Sequence, residues 1–252
     1  AFVLTSDDRG ATWTDPRPAR IGDDGKASIG LGTSLAYLGN GKLIFYETGS
    51  VGTGHPARWF SADYGRTWGD PVAIAPMSDE NRWRIWDAPL VDHHPKTGKI
   101  TRLAETGYAQ SGTNSQAYIR FSTDEGQMWS QSNKVPQWQG ANEALLFRAG
   151  NGDLLAACRT DVPRRLKGKT LDHYEGLGIS TSRDDGRTWS AVKKLYDYGR
   201  HHPSLVLMPN QDIVMTYVVR LGYVDDQNGF PQFGIEAVVS HDHGVTWDLD
   251  HR

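Results

Sequence analysis

The chain has 252 residues, of which 38% are hydrophobic, and its 27 Lys and Arg against 30 Asp and Glu give a formal net charge of −3. This balance leaves no basic surface for nucleic acid or anionic lipid, so we expect neither as a partner. A single cysteine, Cys158, excludes an internal disulfide, and no apolar run approaches the roughly 20 residues of a membrane span.

Short apolar segments recur in a fixed order. Residues 1–20 hold what would be the last two strands of a unit, and four complete units follow. Each has two apolar strands around a Gly or Asn turn, then a variable loop, a third strand and a short fourth strand such as 191–195. The first three strands are predicted, unit by unit, at 34–38, 43–47 and 57–60; 87–91, 100–105 and 116–121; 143–148, 153–159 and 176–181; and 203–208, 212–219 and 233–239. Four antiparallel strands joined by tight turns are typical of a propeller blade.

An eight-residue motif recurs at nearly even intervals. All copies keep Ser, Asp, Gly and Trp at positions 1, 3, 5 and 8, and all but one keep Thr at position 7. A steady period of this size indicates a repeat architecture. The copies are SDDRGATW, SADYGRTW, STDEGQMW, SRDDGRTW and SHDHGVTW, which start at Ser6, Ser61, Ser122, Ser182 and Ser240, 55 to 61 residues apart.

The motif predicts a turn followed by an anchor. A short Asp side chain accepts hydrogen bonds from backbone N–H groups just ahead of it, and Gly supplies a positive φ. Burial of the Trp that follows contributes about 1.5–3 kcal/mol. A calcium loop is the alternative, but such a loop needs about six oxygen ligands, and the motif offers too few. We therefore predict a structural turn and no metal site.

Propeller closure bears on the extent of the domain. A propeller closes on itself to protect the edges of its sheets. Because residues 1–20 supply only half a blade, we expect the parent chain to extend at both ends, and residues 1–252 to form one incomplete domain. Its predicted fold class is all-β, with four complete four-stranded blades and part of a preceding blade. A five-bladed ring that lacks one inner hairpin is the alternative.

Blade geometry predicts where a site lies. The face opposite the motif turns collects the start of each first strand and the end of each second strand. Reflecting the third unit about its hairpin turn at Asn151 pairs Glu143 with Arg159. Applied to the other units, the same reflection gives the remaining predicted substrate-binding residues, which are Glu47, Trp86, Asp87, Glu105, His201, His202 and Arg220.

These residue types suit a polar, anionic, ring-shaped ligand, because Arg binds carboxylates bidentately and aromatic faces pack on sugar rings. An internal salt bridge between Glu143 and Arg159 is the structural alternative. Adjacent strand residues point to opposite sides, so we expect no metal pair from His201 and His202 and no cofactor. The loop 161–175, which contains Arg164, Arg165, Lys167 and Lys169, is interpreted either as a lid or as a solvated loop.

The repeated S-x-D-x-G-x-T-W boxes resemble the Asp boxes, or BNR repeats, of the sialidase (neuraminidase) superfamily and its six-bladed relatives. The segment NEALLFRAGNGDLLAACR resembles the sialidase segment with a Glu on the first strand and a triad Arg at the end of the second. The resemblance implies a β-propeller of sialidase type and a retaining exo-α-sialidase that releases a terminal, acidic sugar from sialoglycoconjugates. Glu143 would polarise a Tyr nucleophile, Arg159 would grip the sugar carboxylate, and the protein would be secreted or periplasmic.

The chain also departs from that family's pattern. The first triad Arg, the acid Asp and the Tyr nucleophile of the family belong to blades outside these 252 residues, which alone are expected to be inactive. The segment FPQFGIEAVVS lacks the third Arg, for which Arg220 is the available substitute. Two hypotheses follow: a sialidase-type glycoside hydrolase, or a carbohydrate-binding or differently specific Asp-box propeller.

Overall fold

The computed structural model describes residues 1–22, 25, 29–48, 55–78, 83–111, 114–166, 174–221 and 232–252. In these ranges the regular structure consists of strands and one 3-10 turn at Arg164–Leu166. No helix among them is long and apolar enough to cross a membrane. Of the predicted basic loop, Lys167 and Lys169 lie outside the described residues.

The strands follow the predicted units. The opening half-blade comprises β1 (Phe2–Val3) and β2 (Arg17–Pro18). The first complete blade comprises β3 (Gly32–Gly39), β4 (Lys42–Glu47), β5 (Ala57–Ser61) and β6 (Val72–Ala73). The second comprises β7 (Trp83–Arg84), β8 (Leu90–His93), β9 (Ile100–Ser111), β10 (Asn114–Ser122) and β11 (Asn133–Gln139). The third comprises β12 (Ala141–Arg148), β13 (Leu154–Thr160), β14 (Gly176–Ser182) and β15 (Lys193–Tyr196), and the fourth β16 (Arg200–Leu207), β17 (Ile213–Leu221) and β18 (Gln232–Ser240).

The pairing of the strands confirms the all-β propeller fold class. The first and third blades are four-stranded sheets in simple chain order, the fourth has three strands in chain order, and β1 pairs with β2. The pairs with a described register are all antiparallel. In the second blade β9 pairs with both β7 and β8. The innermost position of that blade is thus filled by two short strands.

The second blade corrects one predicted strand. A strand was expected at 87–91, but β8 runs from Leu90 to His93, and Asp87 lies between β7 and β8. Pro89 explains the shift, because proline has no N–H to donate to the ladder of a sheet. The strand therefore begins only after Pro89.

Contacts divide the chain into two compact units. The first comprises Ala1–Pro76, Arg84–Leu103 and Ser122–Trp129, and the second Met77–Trp83, Ala104–Phe121 and Ser130–Arg252. In the first unit, Ala19, Ile29 and Trp59 form a buried cluster. The single domain over residues 1–252 stays a prediction.

The core of the second compact unit lies between the third and fourth blades of the chain. Every residue of β13 is buried, whereas β17 alternates, with Ile213, Met215, Tyr217 and Val219 facing inward. These side chains form one apolar cluster with residues of β13 and β14. Strand β13, which carries Arg159, is thus fixed on both faces.

The Asp boxes form the predicted turn. In the box at Ser182, the Gly186 N–H donates to Ser182 Oγ at 2.8 Å, and that hydroxyl donates to Asp184 Oδ1 at 2.8 Å. The Thr188 N–H donates to Asp184 Oδ1 at 2.8 Å, and the Thr188 hydroxyl donates to Oδ2 at 2.5 Å. Both carboxylate oxygens of Asp184 are bound within the turn.

Two consecutive residues of each box have a left-handed backbone. Gly at position 5 has φ between 78° and 90°, as predicted. The residue before it also has a positive φ, between 59° and 66°, although it is never Gly. This second feature was not predicted, because the residues at position 4 share no chemistry; they are Arg9, Tyr64, Glu125, Asp185 and His243.

The Trp anchors differ in burial. Trp189 is 6% exposed and meets Trp138 edge-on at 4.7 Å. Trp13 is 61% exposed, so the prediction of a buried anchor is wrong there. Its box connects β1 and β2, and this two-stranded sheet has little surface with which to cover an indole ring. Trp13 Nε1 donates a hydrogen bond to the Gly10 carbonyl, at 3.0 Å.

Met128 makes it possible to test how the Thr hydroxyl of the Asp box affects the pKa of the Asp. The Thr hydroxyl is the largest of the contacts that lower the pKa of Asp8, Asp63 and Asp184 from 3.8 to about 2. The box at Ser122 has Met128 at that position, and this residue is 74% exposed. We expect Met128→Thr to lower the pKa of Asp124 further, because the new hydroxyl would donate to Oδ2.

The same substitution changes stability in a defined direction. A carboxyl whose pKa is lower in the folded state stabilises the fold above its unfolded pKa, and this stability is lost as the pH falls from about 4 to about 2. Met128→Thr should therefore raise the urea midpoint at pH 7 more than at pH 2. The control is Met128→Val, which has the shape of Thr without its hydroxyl. Equal midpoints and equal Asp124 titrations by NMR for the two variants would contradict this reading.

Candidate functional site

The β12–β13 hairpin brings Glu143 and Arg159 together. Its register sets Leu145 opposite Ala157 and Ala144 opposite Cys158, which places Glu143 beside Arg159. The Arg159 Nη1 donates to Glu143 Oε1 at 2.8 Å. Both side chains are largely buried, with the two residues 5% and 8% exposed. The proximity expected from reflection about Asn151 is therefore present in the structure.

Glu175 is a second carboxylate on the same guanidinium. It directly precedes β14, whose Gly176 lies opposite Thr160 at the end of β13. Its Oε2 forms an ion pair with Arg159 Nε. Burial raises the pKa of Glu175 from 4.5 to about 7, opposed by the charge of Arg159 and reinforced by that of Glu143. This residue was not predicted as part of the site, although its place before a third strand, beside the end of the Arg-bearing strand, was a usable signal.

His202 joins the cluster from β16. Its Nδ1 lies 2.8 Å from Glu143 Oε2, and its Nε2 lies 3.3 Å from Arg159 Nη1. Because a guanidinium only donates hydrogen bonds, Nε2 is the acceptor in the contact with Arg159, whereas the approach of Nδ1 to Glu143 Oε2 lacks hydrogen-bond geometry. His202 therefore contacts both partners of the Glu143–Arg159 ion pair.

The two adjacent histidines face one another, contrary to the expectation that they point to opposite sides. Their rings are 4.5 Å apart at 68°. The register of β16 and β17 shifts between His201 and Ser204, and His202 has φ of 54°. A bulge of this kind re-aims a side chain, and here it turns His202 toward Glu143.

Other predicted site residues of the second compact unit have separate surroundings. Glu105 Oε1 accepts from Arg120 Nε at 2.5 Å, and both side chains are buried. Arg220 lies near the end of β17 opposite Phe233, and its N–H donates to the Gly199 carbonyl at 2.9 Å. Glu105 therefore forms an internal ion pair with Arg120. Substrate binding by Glu105 and Arg220 stays a prediction.

Three predicted residues belong to the first compact unit. Glu47 is fully buried, and its carboxylate accepts from Trp59 Nε1 at 2.8 Å and from the Gly30 N–H at 3.0 Å. Trp86 and Asp87 are half-buried between β7 and β8. Through its contact with Trp59, Glu47 links β4 to β5. Substrate binding by Glu47, Trp86 and Asp87 stays a prediction.

The fourth blade contains a second polar cluster that the sequence did not reveal. Arg200 holds Glu236 through Nε and Nη2 at 2.8 and 3.1 Å, and the Tyr217 hydroxyl donates to Glu236 at 3.2 Å. The hydroxyl of Tyr217 lies 2.6 Å from that of Tyr196. Burial raises the pKa of Tyr217 well above its usual value, and the Arg200 hydrogen bond lowers that of Glu236. A phenol that resists ionisation in this way is unsuited to act as a nucleophile.

The two clusters therefore differ in chemistry. Around Arg159, two carboxyl groups share one guanidinium, and one of them holds its proton up to about pH 7. A carboxyl whose pKa lies near neutrality beside a second carboxyl is an arrangement suited to acid–base chemistry. Among the described residues, no group of three or more His, Cys, Asp or Glu is arranged to hold a metal ion.

Sequence and fold comparisons agree with this architecture. The blades define the class of β-propeller proteins. The family model of the BNR repeat-like domain matches residues 44–197, more than half of the chain. The chain belongs to that family. A comparison with curated proteins gives no match.

Solved structures share the fold at low identity. A protein of unknown function from Dyadobacter fermentans is 20% identical over 94% of this chain and 67% of its own, with a TM-score of 0.65. An α-L-arabinofuranosidase from Fusarium graminearum is 17% identical over 89% and 65%, with a TM-score of 0.61. An intramolecular trans-sialidase from Ruminococcus gnavus is 13% identical over 88% and 70%, with a TM-score of 0.54. The chain thus spans about two thirds of the length of these structures, and the likeness shows the fold alone.

Arg159 should be necessary for stability. Replacing it with Met would leave buried Glu143 and largely buried Glu175 without their shared cation, so we expect Arg159→Met to lower the free energy of unfolding by about 3–5 kcal/mol. The control is Arg148→Met in the same blade, whose ion pair with Asp185 is partly exposed and should be worth under about 1 kcal/mol. Urea unfolding at pH 8, where Glu175 is ionised, measures both losses. Equal losses would contradict the shared-cation reading.

Proposed function

We propose that this chain carries the active-site residues of a glycoside hydrolase. The observation that carries the proposal is the cluster in which Glu143 and Glu175 flank Arg159, with Glu175 holding its proton up to about pH 7. Membership of the BNR repeat-like family and a fold shared with several glycoside hydrolases support it.

The cluster suits the two tasks of glycoside hydrolysis. The leaving oxygen must be protonated as its bond to the anomeric carbon breaks, and the sugar ring acquires positive charge in the transition state. Glu175 is the proton donor, because a carboxyl with a pKa of about 7 is still substantially protonated at neutral pH. Glu143 supplies the fixed negative charge that faces the developing cation. Water then adds its hydroxide to the anomeric carbon and returns a proton to Glu175.

Arg159 and His202 are positioning residues in this scheme. Arg159 donates a hydrogen bond to one oxygen of Glu143, and His202 Nδ1 lies 2.8 Å from the other. The hydrogen bond from Arg159 orients the Glu143 carboxylate, which lowers the cost of reorganisation during the reaction.

A narrower hypothesis assigns exo-α-sialidase activity. In that case Glu143 polarises a Tyr nucleophile, which suits a negatively charged sugar, and Arg159 grips the sugar carboxylate. The Asp boxes and the fold shared with a trans-sialidase support it. A glycan-binding propeller without hydrolytic activity is the remaining alternative, and a secreted or periplasmic location stays a prediction.

Removal of the proton donor should reduce kcat much more on substrates with a poor leaving group than on substrates with a good one. We expect Glu175→Gln in the full-length protein to reduce kcat by about 10²–10⁴-fold on oligosaccharides, whose leaving group needs a proton. On 4-methylumbelliferyl glycosides the loss should be much smaller, because an acidic phenol leaves without protonation. Sialosides, α-L-arabinofuranosides and β-xylosides provide the substrate panel.

The controls separate the roles. Glu125→Gln, in an exposed pair with Lys42, should keep full activity. Equal rates for Glu143→Gln and the unmodified protein would remove Glu143 from the mechanism. An equal loss for Glu175→Gln on both leaving groups would remove Glu175 as the acid. If sugars bound but no glycoside were cleaved, the binding alternative would hold.

The pH profile should follow the proton on Glu175. Its carboxyl faces Arg159, Glu143 and Asp161, and because its acid form is the active one, kcat/KM should be retained below about pH 7 and fall above it. Glu175→Gln should lack this descending limb. A limb that persisted unchanged in the variant would belong to another group.

A further inference from the structure

We infer that the site formed by Glu143, Arg159, Glu175 and His202 accepts an uncharged sugar, and that Glu175 determines this specificity by occupying Arg159. The inference rests on the proposed function, because it concerns the sugar that the hydrolase site would bind. It departs from the acidic sugar of the sialidase hypothesis.

Both hydrogen-bonding edges of Arg159 already contact carboxyl groups, and this is the first reason for the inference. A guanidinium binds a carboxylate bidentately through Nε and Nη2 or through Nη1 and Nη2. Glu175 contacts the Nε atom of Arg159, while Glu143 and His202 contact its Nη1 atom. A substrate carboxylate that used either edge would have to displace one of these two buried carboxyls. The displaced group would lose its partner in a buried site, which is costly.

Arg200 shows the contrasting arrangement within the same compact unit. Its Nε and Nη2 both bind the carboxylate of Glu236. That guanidinium has one carboxylate on one edge, the standard bidentate pair. Arg159 differs because its two edges are divided between two carboxyls.

The net charge of the cluster is the second ground. With both carboxyls ionised, two negative charges face the one positive charge of Arg159, and this group of three carries −1. With Glu175 protonated it is neutral. In neither state does it hold the surplus positive charge that would attract an anionic sugar, and like charges brought together oppose binding.

Substrate pairs test the inference. In the full-length protein at pH 7, we expect kcat/KM for 4-methylumbelliferyl α-L-arabinofuranoside or β-D-xyloside to exceed that for the N-acetylneuraminide and the β-D-glucuronide by about 100-fold or more. A preference for either acidic glycoside would overturn the inference and leave the proposed hydrolase function standing.

A binding measurement keeps the inference testable without turnover. Glu175→Gln removes one carboxylate from Arg159, so N-acetylneuraminic acid and D-glucuronate should bind the variant at least about tenfold more tightly than the unmodified protein. D-xylose and L-arabinose should bind both equally, and Glu125→Gln, which lies outside the cluster, should change nothing. NMR titration measures all these affinities.

The outcomes are distinct. Tighter binding of acidic than of neutral sugars by the unmodified protein, or no gain for acidic sugars in Glu175→Gln, would overturn the inference even if no glycoside were hydrolysed. Selective binding of neutral sugars without turnover of any glycoside would instead support the inference and refute the proposed function.

Discussion

The interaction on which the site depends is the sharing of one buried guanidinium by two carboxyls. Arg159 lies on β13, the fully buried strand of the third blade, where an ionised side chain without partners would be strongly disfavoured. Glu143 and Glu175 remove that penalty for Arg159 and create another, because one positive charge does not neutralise two negative ones. The protein resolves the excess through Glu175, because burial, reinforced by the charge of Glu143, raises the pKa of Glu175 to about 7. The ion pairs that make the burial of Arg159 possible therefore also give the site its acid–base character.

The Asp boxes show the opposite response of a carboxyl to its surroundings. Asp184 is bound by the hydroxyl of Thr188 at a solvent-exposed turn, and its pKa falls to about 2. Glu175 is buried with a single cation that it shares, and its pKa rises. Donated hydrogen bonds stabilise the ionised form, whereas desolvation destabilises it. One set of carboxylates consequently maintains the turns, and the other keeps an exchangeable proton.

Sequence patterns predicted the parts of this architecture that repeat or that lie within one hairpin. Strand positions followed from the period of the units, and the contact of Glu143 with Arg159 followed from symmetry about Asn151, because antiparallel register is fixed by a tight turn. The parts that were missed depend on local irregularity. A bulge turns His202 toward Glu143, and the end of a long loop delivers Glu175 to Arg159. Neither a bulge nor the path of a loop leaves a periodic signal in the chain.

Arg159 also accounts for how a proton donor can lose its proton inside a buried cluster. A carboxyl that protonates a leaving group becomes a carboxylate, and in an apolar pocket this product would be disfavoured, which would slow the transfer. Here the charge forms next to Arg159 Nε. Burial keeps the proton on Glu175 at rest, and the guanidinium stabilises the carboxylate once the proton has gone. The opposing effects hold the pKa of Glu175 near neutrality, where a group can both donate a proton and recover it from water.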